Sequence, residues 1–550
     1  MRFYLLAAFS LATMFTSVSA NALEAKAFTV KGEKLVIPPN DVHLDVNGGS
    51  DPFSHAPGAH TSVISGFEGT SDYDTRALGI GLIPPDTMGA VGRTQYVELI
   101  NGSFSVYNKA TGLLEATRKT DSAFWQAAGG TNTGGDPRIR FDTETDRWIA
   151  VGFGANVANL QIAVSETADA LGPWHANTFV GYAGPGTGKT ADYPTLALSG
   201  NAVLIGTNDF APNFRGTTLN VLNKDDVFAV GGPVLTSLKK FTTPFDGVTD
   251  NGFAIQGVNR VGGSSTATVV AASLYEFNNV TYNVTNAGSA GAVQTLSQYQ
   301  VGGASFDSPR AARQPTTNGS ARVIDALDER ISSSVWENKG KIYFVTTVRA
   351  LGTDHDVVRI TVLDKATNTV LSQTDIGGGP SNVFDYYQGS LAINSSGQIV
   401  VGYNRSGDIS TGLAGRISIF ARSFNTAADG TLMSTSGEVL IKRSLVDDYH
   451  NGSPQGSNPA GRQRWGDYSS VTLDPNDAHR FWVIGEFARE FNNAAGGHPG
   501  GSGFGRWGTY IAQVGVGFVP EPATWAMMIV GFGFVGVAVR RRRMNSAAAG

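Results

Sequence analysis

Short runs of β-forming residues recur through almost the whole chain, each cut off by Gly, Asn, Asp or Pro. That punctuation constrains the fold more than any other feature. Such runs are too short for self-supporting helices. Between Leu23 and Val519 no apolar stripe repeats at helical spacing. The runs 95–100, 103–107, 148–153, 160–164, 202–207, 268–274, 341–348, 357–363, 399–403, 416–420 and 480–485 read as strands. Several pair across a tight turn, as in a hairpin. Composition agrees. The 550 residues include 69 Gly and only 16% charged residues, which suits strands and turns better than helices laced with ion pairs. A hydrophobic content of 41% excludes a disordered chain. The absence of Cys excludes disulfide scaffolds, zinc–thiolate sites and cysteine nucleophiles.

The runs fall into loosely repeated units. A unit opens on an acidic or polar residue, passes through small residues into a short strand, turns, and enters a stronger apolar strand. Openings are Asp86-Thr87-Met88, Asp136-Pro137-Arg138, Asp192-Tyr193-Pro194, Ile331-Ser332-Ser333, Asp385-Tyr386-Tyr387 and Asp467-Tyr468-Ser469. One more unit fits between Asp192 and Ile331, although its opening motif is missing. The predicted fold class is therefore all-β: a β-propeller of seven four-stranded blades, whose radial repetition leaves only short edges. Two stacked β-sandwiches are the plainer alternative. The expected organisation is a signal peptide (1–22), an N-terminal extension (23–80), the propeller (81–518), a sorting segment with one transmembrane helix (519–543) and a cytoplasmic tail (544–550).

Both ends read as addresses. Arg2, an apolar run and the small residues Ser17-Val18-Ser19-Ala20-Asn21-Ala22 follow the plan of a secretory signal peptide. At the other end Pro520-Glu521-Pro522 precedes an apolar stretch from Ala526 to Val539, closed by Arg540, Arg541, Arg542 and Arg543. The arginines favour a cytoplasmic C-terminus and place the body outside the inner membrane. Triplet, glycine-interrupted helix and basic cluster together resemble the PEP-CTERM sorting signal of Gram-negative bacteria. The resemblance implies export through the secretion translocon, transient inner-membrane anchoring, removal of the tail by an exosortase-type protease, and a final place at the cell surface or outside the cell. It also implies an association with exopolysaccharide. The same tail is linked with ice-binding proteins as a C-terminal domain; the body has no regular Thr-x-Thr ladder, so ice binding gains no support.

Removing Arg2 and the four terminal arginines leaves about 36 basic residues against 46 acidic ones. That balance opposes binding to nucleic acid or anionic lipid, which calls for clustered Lys and Arg.

Within the body, Pro84-Pro85-Asp86-Thr87-Met88-Gly89 and Trp465-Gly466-Asp467-Tyr468-Ser469-Ser470 resemble segments of secreted bacterial proteins with a sialidase-like propeller. That resemblance implies a fold and no reaction.

Candidate chemistry is sparse. Ala183-Gly184-Pro185-Gly186-Thr187-Gly188-Lys189-Thr190 mimics a P-loop, but Pro194 follows too soon for the helix such a loop needs. The aspartates Asp86, Asp136, Asp192, Asp385 and Asp467 form the best constellation. At equivalent strand ends they would meet at one channel mouth, and could hold calcium through oxygen ligands or act as paired acids on a glycoside. Their recurrence in many units favours the plainer role of capping local backbone N–H groups. A sialidase would draw on residues such as Arg138, Arg140, Tyr193, Tyr386 and Tyr468, but the repeated Ser-x-Asp-x-Gly-x-x-Trp box is absent. No Gly-x-Ser-x-Gly or His-Glu-x-x-His occurs. The tryptophans read mainly as core, with a minority available to stack on sugars. The resulting expectation is a surface or matrix protein that binds polysaccharide or another protein, leaning away from an enzyme. The alternative is a sialidase-like extracellular glycoside hydrolase or lyase.

Overall fold

The computed structural model describes residues 61–517, apart from residues 185, 263–264, 275–277, 290, 305, 316–322, 380, 448, 450–461, 492 and 494–504. The expected signal peptide and transmembrane sorting helix lie outside the described residues. Among those described, no helix is long and apolar enough to cross a membrane.

The body is almost entirely antiparallel sheet. A three-stranded sheet (Gly89–Val91, Gln95–Ile100, Ser103–Asn108) comes first. A four-stranded sheet runs from Arg138–Asp142 to Trp174–Val180, and a five-stranded one from Thr190–Asp192 to Lys239–Pro244. An eight-stranded sheet then spans residues 253–376. It consists of two antiparallel halves, joined where Val258 and Asn259 pair in parallel with Val335 and Trp336. A five-stranded sheet begins at Asp385–Ile393. The last sheet combines Ser470–Leu473, Arg480–Phe491 and Gly505–Val516 with Thr61–Ser71 from the other end of the chain. A two-stranded parallel ribbon, Val323–Ile324 with Arg462–Gln463, forms a separate small sheet whose Ile324 is buried among Ile100, Tyr387 and Trp465.

Why these segments become strands follows from where their faces go. Ile149, Val151, Ile162 and Val164 of the second sheet pack on Leu198, Val203 and Ile205 of the third. Leu204 and Val221 then pack on Ile255, Val269 and Tyr282, and Val258 and Val270 on Val335, Ile342 and Phe344. The succession continues through Val345 and Ile360 against Leu391 and Val401, and Ile419 and Ala421 against Val471 and Val483. Trp482 and Ile484 return to Val91 and Tyr96, and Val97 and Leu99 to Ile139 and Trp148. Each sheet is sandwiched between two others and the succession closes on itself. Central strands are therefore apolar on both faces, as in Val203-Leu204-Ile205, all fully buried. A buried aliphatic or aromatic side chain contributes roughly 1.5–3 kcal/mol, so the sheet faces are the dominant cohesion.

The first strands are also tied by side chain to backbone bonds. Arg138 donates to the Pro194 carbonyl, Thr195 to Ile255, Asn259 to Val335, Ser332 to Gly389, Ser469 to Gln388, and Thr87 to Tyr468. The body is propeller-like.

Two expectations need correction. The extension drawn to residue 80 reaches too far. Thr61–Ser71 is an edge strand, with Phe67 opposite Ile511, and the helix Asp72–Ala77 follows it under a Ser71 capping box. Its partner strand lies hundreds of residues away, so no local pattern announces the pairing. The strand expected at 416–420 instead occupies Ser418–Thr426. A 3₁₀ segment, Ile409–Gly415, precedes it, and Arg416 pairs with Asp447.

Candidate active site

Several first strands are entered through a backbone kink in the left-handed region, which non-glycine residues rarely adopt and which Asp tolerates better than most. Asp86 (φ 50°), Asp136 (φ 46°), Tyr193 (φ 52°), Ala254 (φ 49°) and Gln388 (φ 51°) carry it. The three Asp-Tyr pairs are thus not equivalent. The kink falls on Tyr193 after Asp192, on Gln388 three positions beyond Asp385, and on Gly466 (φ 149°) before Asp467. The repeated dipeptide stands in different register to the strand each time.

Four of the five aspartates feel one another's charge: Asp86, Asp136, Asp192 and Asp467. The backbone N–H of Asp467 donates to Asp86 Oδ1 at 2.7 Å. Asn101 Nδ2 donates to Asp86 Oδ2 at 2.9 Å, and Asn101 Oδ1 accepts the backbone N–H of Asp136 at 2.9 Å. Arg464 donates to Asp467 Oδ1 at 2.6 Å and Arg330 to Asp467 Oδ2 at 3.1 Å. Arg330 is braced by Asp328 at 2.6 Å. Arg138 lies between two aromatic rings, 3.4 Å from the centroid of Tyr468 and 4.9 Å from that of Tyr193. Local capping therefore does not describe Asp86 or Asp467, whose bonds reach across sheets.

Asp385 stands in a different cluster. Its carboxylate accepts the backbone N–H groups of Arg313 and Asp356 and lies 3.3 Å from His355 Nδ1.

The environment drives these carboxyls apart in proton affinity. Burial, then the charge of Asp467, pushes Asp86 up to about 7. Burial raises Asp192 to about 6, against the pull of Arg330. Asp136 is held well above the usual carboxylate range by burial and by the charges of Asp86, Asp192 and Asp467. Burial acts on Asp467 too, but Arg464 and Arg330 outweigh it and hold that group below its ordinary value. Asp136 and Asp192 are half-buried, so solvent still reaches them, whereas Asp86 is 2% exposed. The arrangement places proton-holding and ionised carboxyls side by side, the division of labour that acid–base catalysis needs.

Sequence patterns did not reveal Asn101, Arg330, Arg464 or Glu486. The first three sit in connections outside the repeated openings. Glu486 lies within Arg480–Phe491, is 1% exposed, and neither carboxyl oxygen has a hydrogen-bond partner. Burial, then the charge of Asp86, raises it well above the normal range. An acidic residue inside the apolar run 481–488 was the one available signal.

Other sequence candidates go elsewhere. The Tyr193 and Tyr468 hydroxyls donate to the carbonyls of Ile331 and Pro137. Burial raises both phenols, so neither is poised as a nucleophile. Tyr386 packs on Tyr403, and Arg140 bonds Ser334 beside Trp336. Trp125, Trp148, Trp465, Trp482 and Trp507 are at most 1% exposed and offer no sugar-stacking platform. The P-loop mimic leads into the strand Thr190–Asp192, with Lys189 turned back onto the Gly184 carbonyl. Among the described residues no group of three or more His, Asp or Glu side chains is disposed to hold a metal ion.

Comparison with known proteins adds the following. Residues 518–543 match the PEP-CTERM protein-sorting motif. The chain is thus a PEP-CTERM-bearing exported protein on the inner-membrane, exosortase-dependent route to the cell surface. No curated protein matches it. Among solved structures it is similar to a protein of unknown function from Dyadobacter fermentans, at 11% identity and TM-score 0.34 over 70% of this chain and 94% of that one. It is also similar to an α-L-arabinofuranosidase of Fusarium graminearum (10% identity, TM-score 0.31, 59% and 95% covered). A third is an endo-1,4-β-xylanase from Bacteroides thetaiotaomicron (11%, 0.28, 57% and 97%). These are loose overlaps of β-rich bodies, and no substrate is carried over from them. The lean away from an enzyme is withdrawn: the cluster sets proton-holding beside ionised carboxyls, and several of the similar structures are named as glycoside hydrolases.

Proposed function

We propose that this chain is an exported glycoside hydrolase that acts on polysaccharide at the surface of a Gram-negative cell after exosortase processing. The body is read as a seven-bladed propeller, with the eight-stranded sheet divided at its parallel junction. The observation that carries the proposal is the cluster of Asp86, Asp136, Asp192 and Asp467, in which neighbouring carboxyls are driven to different protonation states. Asp136, which retains its proton, is the general acid for the leaving glycosidic oxygen. Asp192, half-buried and near 6, is the base that activates water. Asp467 stays ionised between Arg330 and Arg464 and adds to the burial and the charges of Asp86 and Asp192 that keep Asp136 protonated. The acidic cluster and the excess of acidic over basic residues suit a neutral or basic glycan better than an anionic one.

The test is release of new reducing ends from a panel of neutral, acidic and amino-sugar polysaccharides by the purified protein. Asp136→Asn and Asp192→Asn should each lower turnover by about 10²–10⁴-fold without loss of fold. Polysaccharide retained on the protein with no reducing ends released would replace hydrolysis by simple binding.

A further inference from the structure

The bonds around Asp86 form an unbroken run between two candidate residues from different sheets. It passes from the Asp467 N–H to Asp86 Oδ1, and from Asp86 Oδ2 to Asn101 Nδ2. It ends where Asn101 Oδ1 accepts the Asp136 N–H. Asn101 follows the strand Gln95–Ile100, and Asp86 precedes the strand Gly89–Val91 of the same sheet. The two side chains therefore start from one rigid element and reach to either side of it. Asn101 also donates to the Pro84 carbonyl at 3.1 Å, which fixes the amide's orientation. Its nitrogen is spent on two acceptors and its oxygen on one donor, so a flipped amide would break all three bonds.

We propose that Asn101 and Asp86 are a positioning bridge, which holds Asp136 and Asp467 in fixed register across three neighbouring sheets. The inference rests on the hydrolytic reading for its purpose but not for its existence. Neither residue needs to touch substrate. Asp136 and Asp467 are anchored through their backbones, close to the carboxyl groups, where a small displacement carries most cost. The bridge should respond to protonation, because a neutral Asp86 is a weaker acceptor for both of its donors. The charged and titratable groups that act on Asp86 or feel its charge are Asp467, Arg464, Arg138, Asp136, Tyr468 and Glu486.

The experiment follows the thermal midpoint of the purified protein from pH 4 to pH 8. Asn101→Ala removes a donor from the charged form of Asp86. The upper end of the pH range over which stability falls should then move up by roughly one unit, while its lower end stays at the unfolded value. Asn101→Asp keeps an acceptor for the Asp136 N–H but sets a second carboxylate against Asp86, so its shift should be larger. It also serves if the alanine variant does not fold. In an Asp86→Asn background neither substitution should change the shape of the curve. Curves for Asn101→Ala and wild type that differ only by a constant offset, or a shift that survives in the Asp86→Asn background, would overturn the bridge. If the protein also releases reducing ends, Asn101→Ala should lower kcat more than it changes KM. A shift observed in a protein with no turnover on any glycan keeps the bridge and removes hydrolysis.

Discussion

Asp86→Asn is the substitution whose consequence can be worked furthest. Asp86 is buried, accepts two hydrogen bonds, and is pushed from 3.8 up to about 7. A carboxyl whose proton affinity is raised by folding contributes full stability below its unfolded value. That contribution is lost as pH rises through the folded value. From about pH 4 to pH 7 wild type should therefore lose about 1.4 kcal/mol per pH unit through this group, roughly 4 kcal/mol in all. Asparagine cannot titrate. Its oxygen can take the Asp467 N–H, but its amide nitrogen then faces the nitrogen of Asn101, and two donors meet. That mismatch costs about 1–3 kcal/mol at every pH. The variant should be the less stable protein at pH 4 and the more stable one above pH 7, with the two curves crossing between about pH 5 and pH 6.5. Denaturant midpoints read by fluorescence of the buried tryptophans would show the crossing. Parallel curves would mean that Asp86 ionises normally in the fold, and the electrostatic account of the site would fail with it.

Other expected outcomes follow from the same geometry. Glu486→Gln should match wild type at low pH and gain on it steadily as pH rises, because the raised, partnerless carboxyl costs stability only where it must ionise; a constant offset would contradict this. Lys189→Ala should cost no more than about 1 kcal/mol, and ATP should not alter the thermal midpoint of wild type or variant, since the lysine closes its own loop. Replacing Pro520, Glu521 and Pro522 by Ala should leave an uncleaved, membrane-retained precursor in cell fractions; mature protein of unchanged size at the surface would refute the sorting reading.

Much of the sheet structure was legible because it is local. The runs at 95–100, 341–348 and 357–363 appear as Gln95–Ile100, Lys341–Arg349 and Asp356–Asp364, since apolar strand residues bounded by turn residues are self-sufficient signals. The strand Thr61–Ser71 was not legible, because its partner Gly505–Val516 belongs to the other end of the body. The site was half legible. Asp86, Asp136, Asp192 and Asp467 share a position near their strand starts that sequence can register. Asp385 shares the dipeptide, but its kink falls three positions on, at Gln388, where Asp192 and Asp467 have it on the adjacent residue, and Asp385 meets His355 and Arg313 instead. Arg464 is a chain neighbour of Asp467, three residues before it, whereas Arg330 lies in a distant connection and reaches Asp467 only when the sheets close.

The central claim is that Asp136 and Asp192 divide acid and base roles, and the pH–rate profile tests it most directly. With any glycan that yields reducing ends, kcat/KM should follow a bell. Its lower limb should fall near pH 6, where Asp192 gains its proton, and its upper limb where Asp136 loses one. Asp192→Asn should abolish the lower limb along with most of the rate. A profile whose lower limb stays near 6 in Asp192→Asn, or a rate untouched by Asp136→Asn, would contradict the assignment.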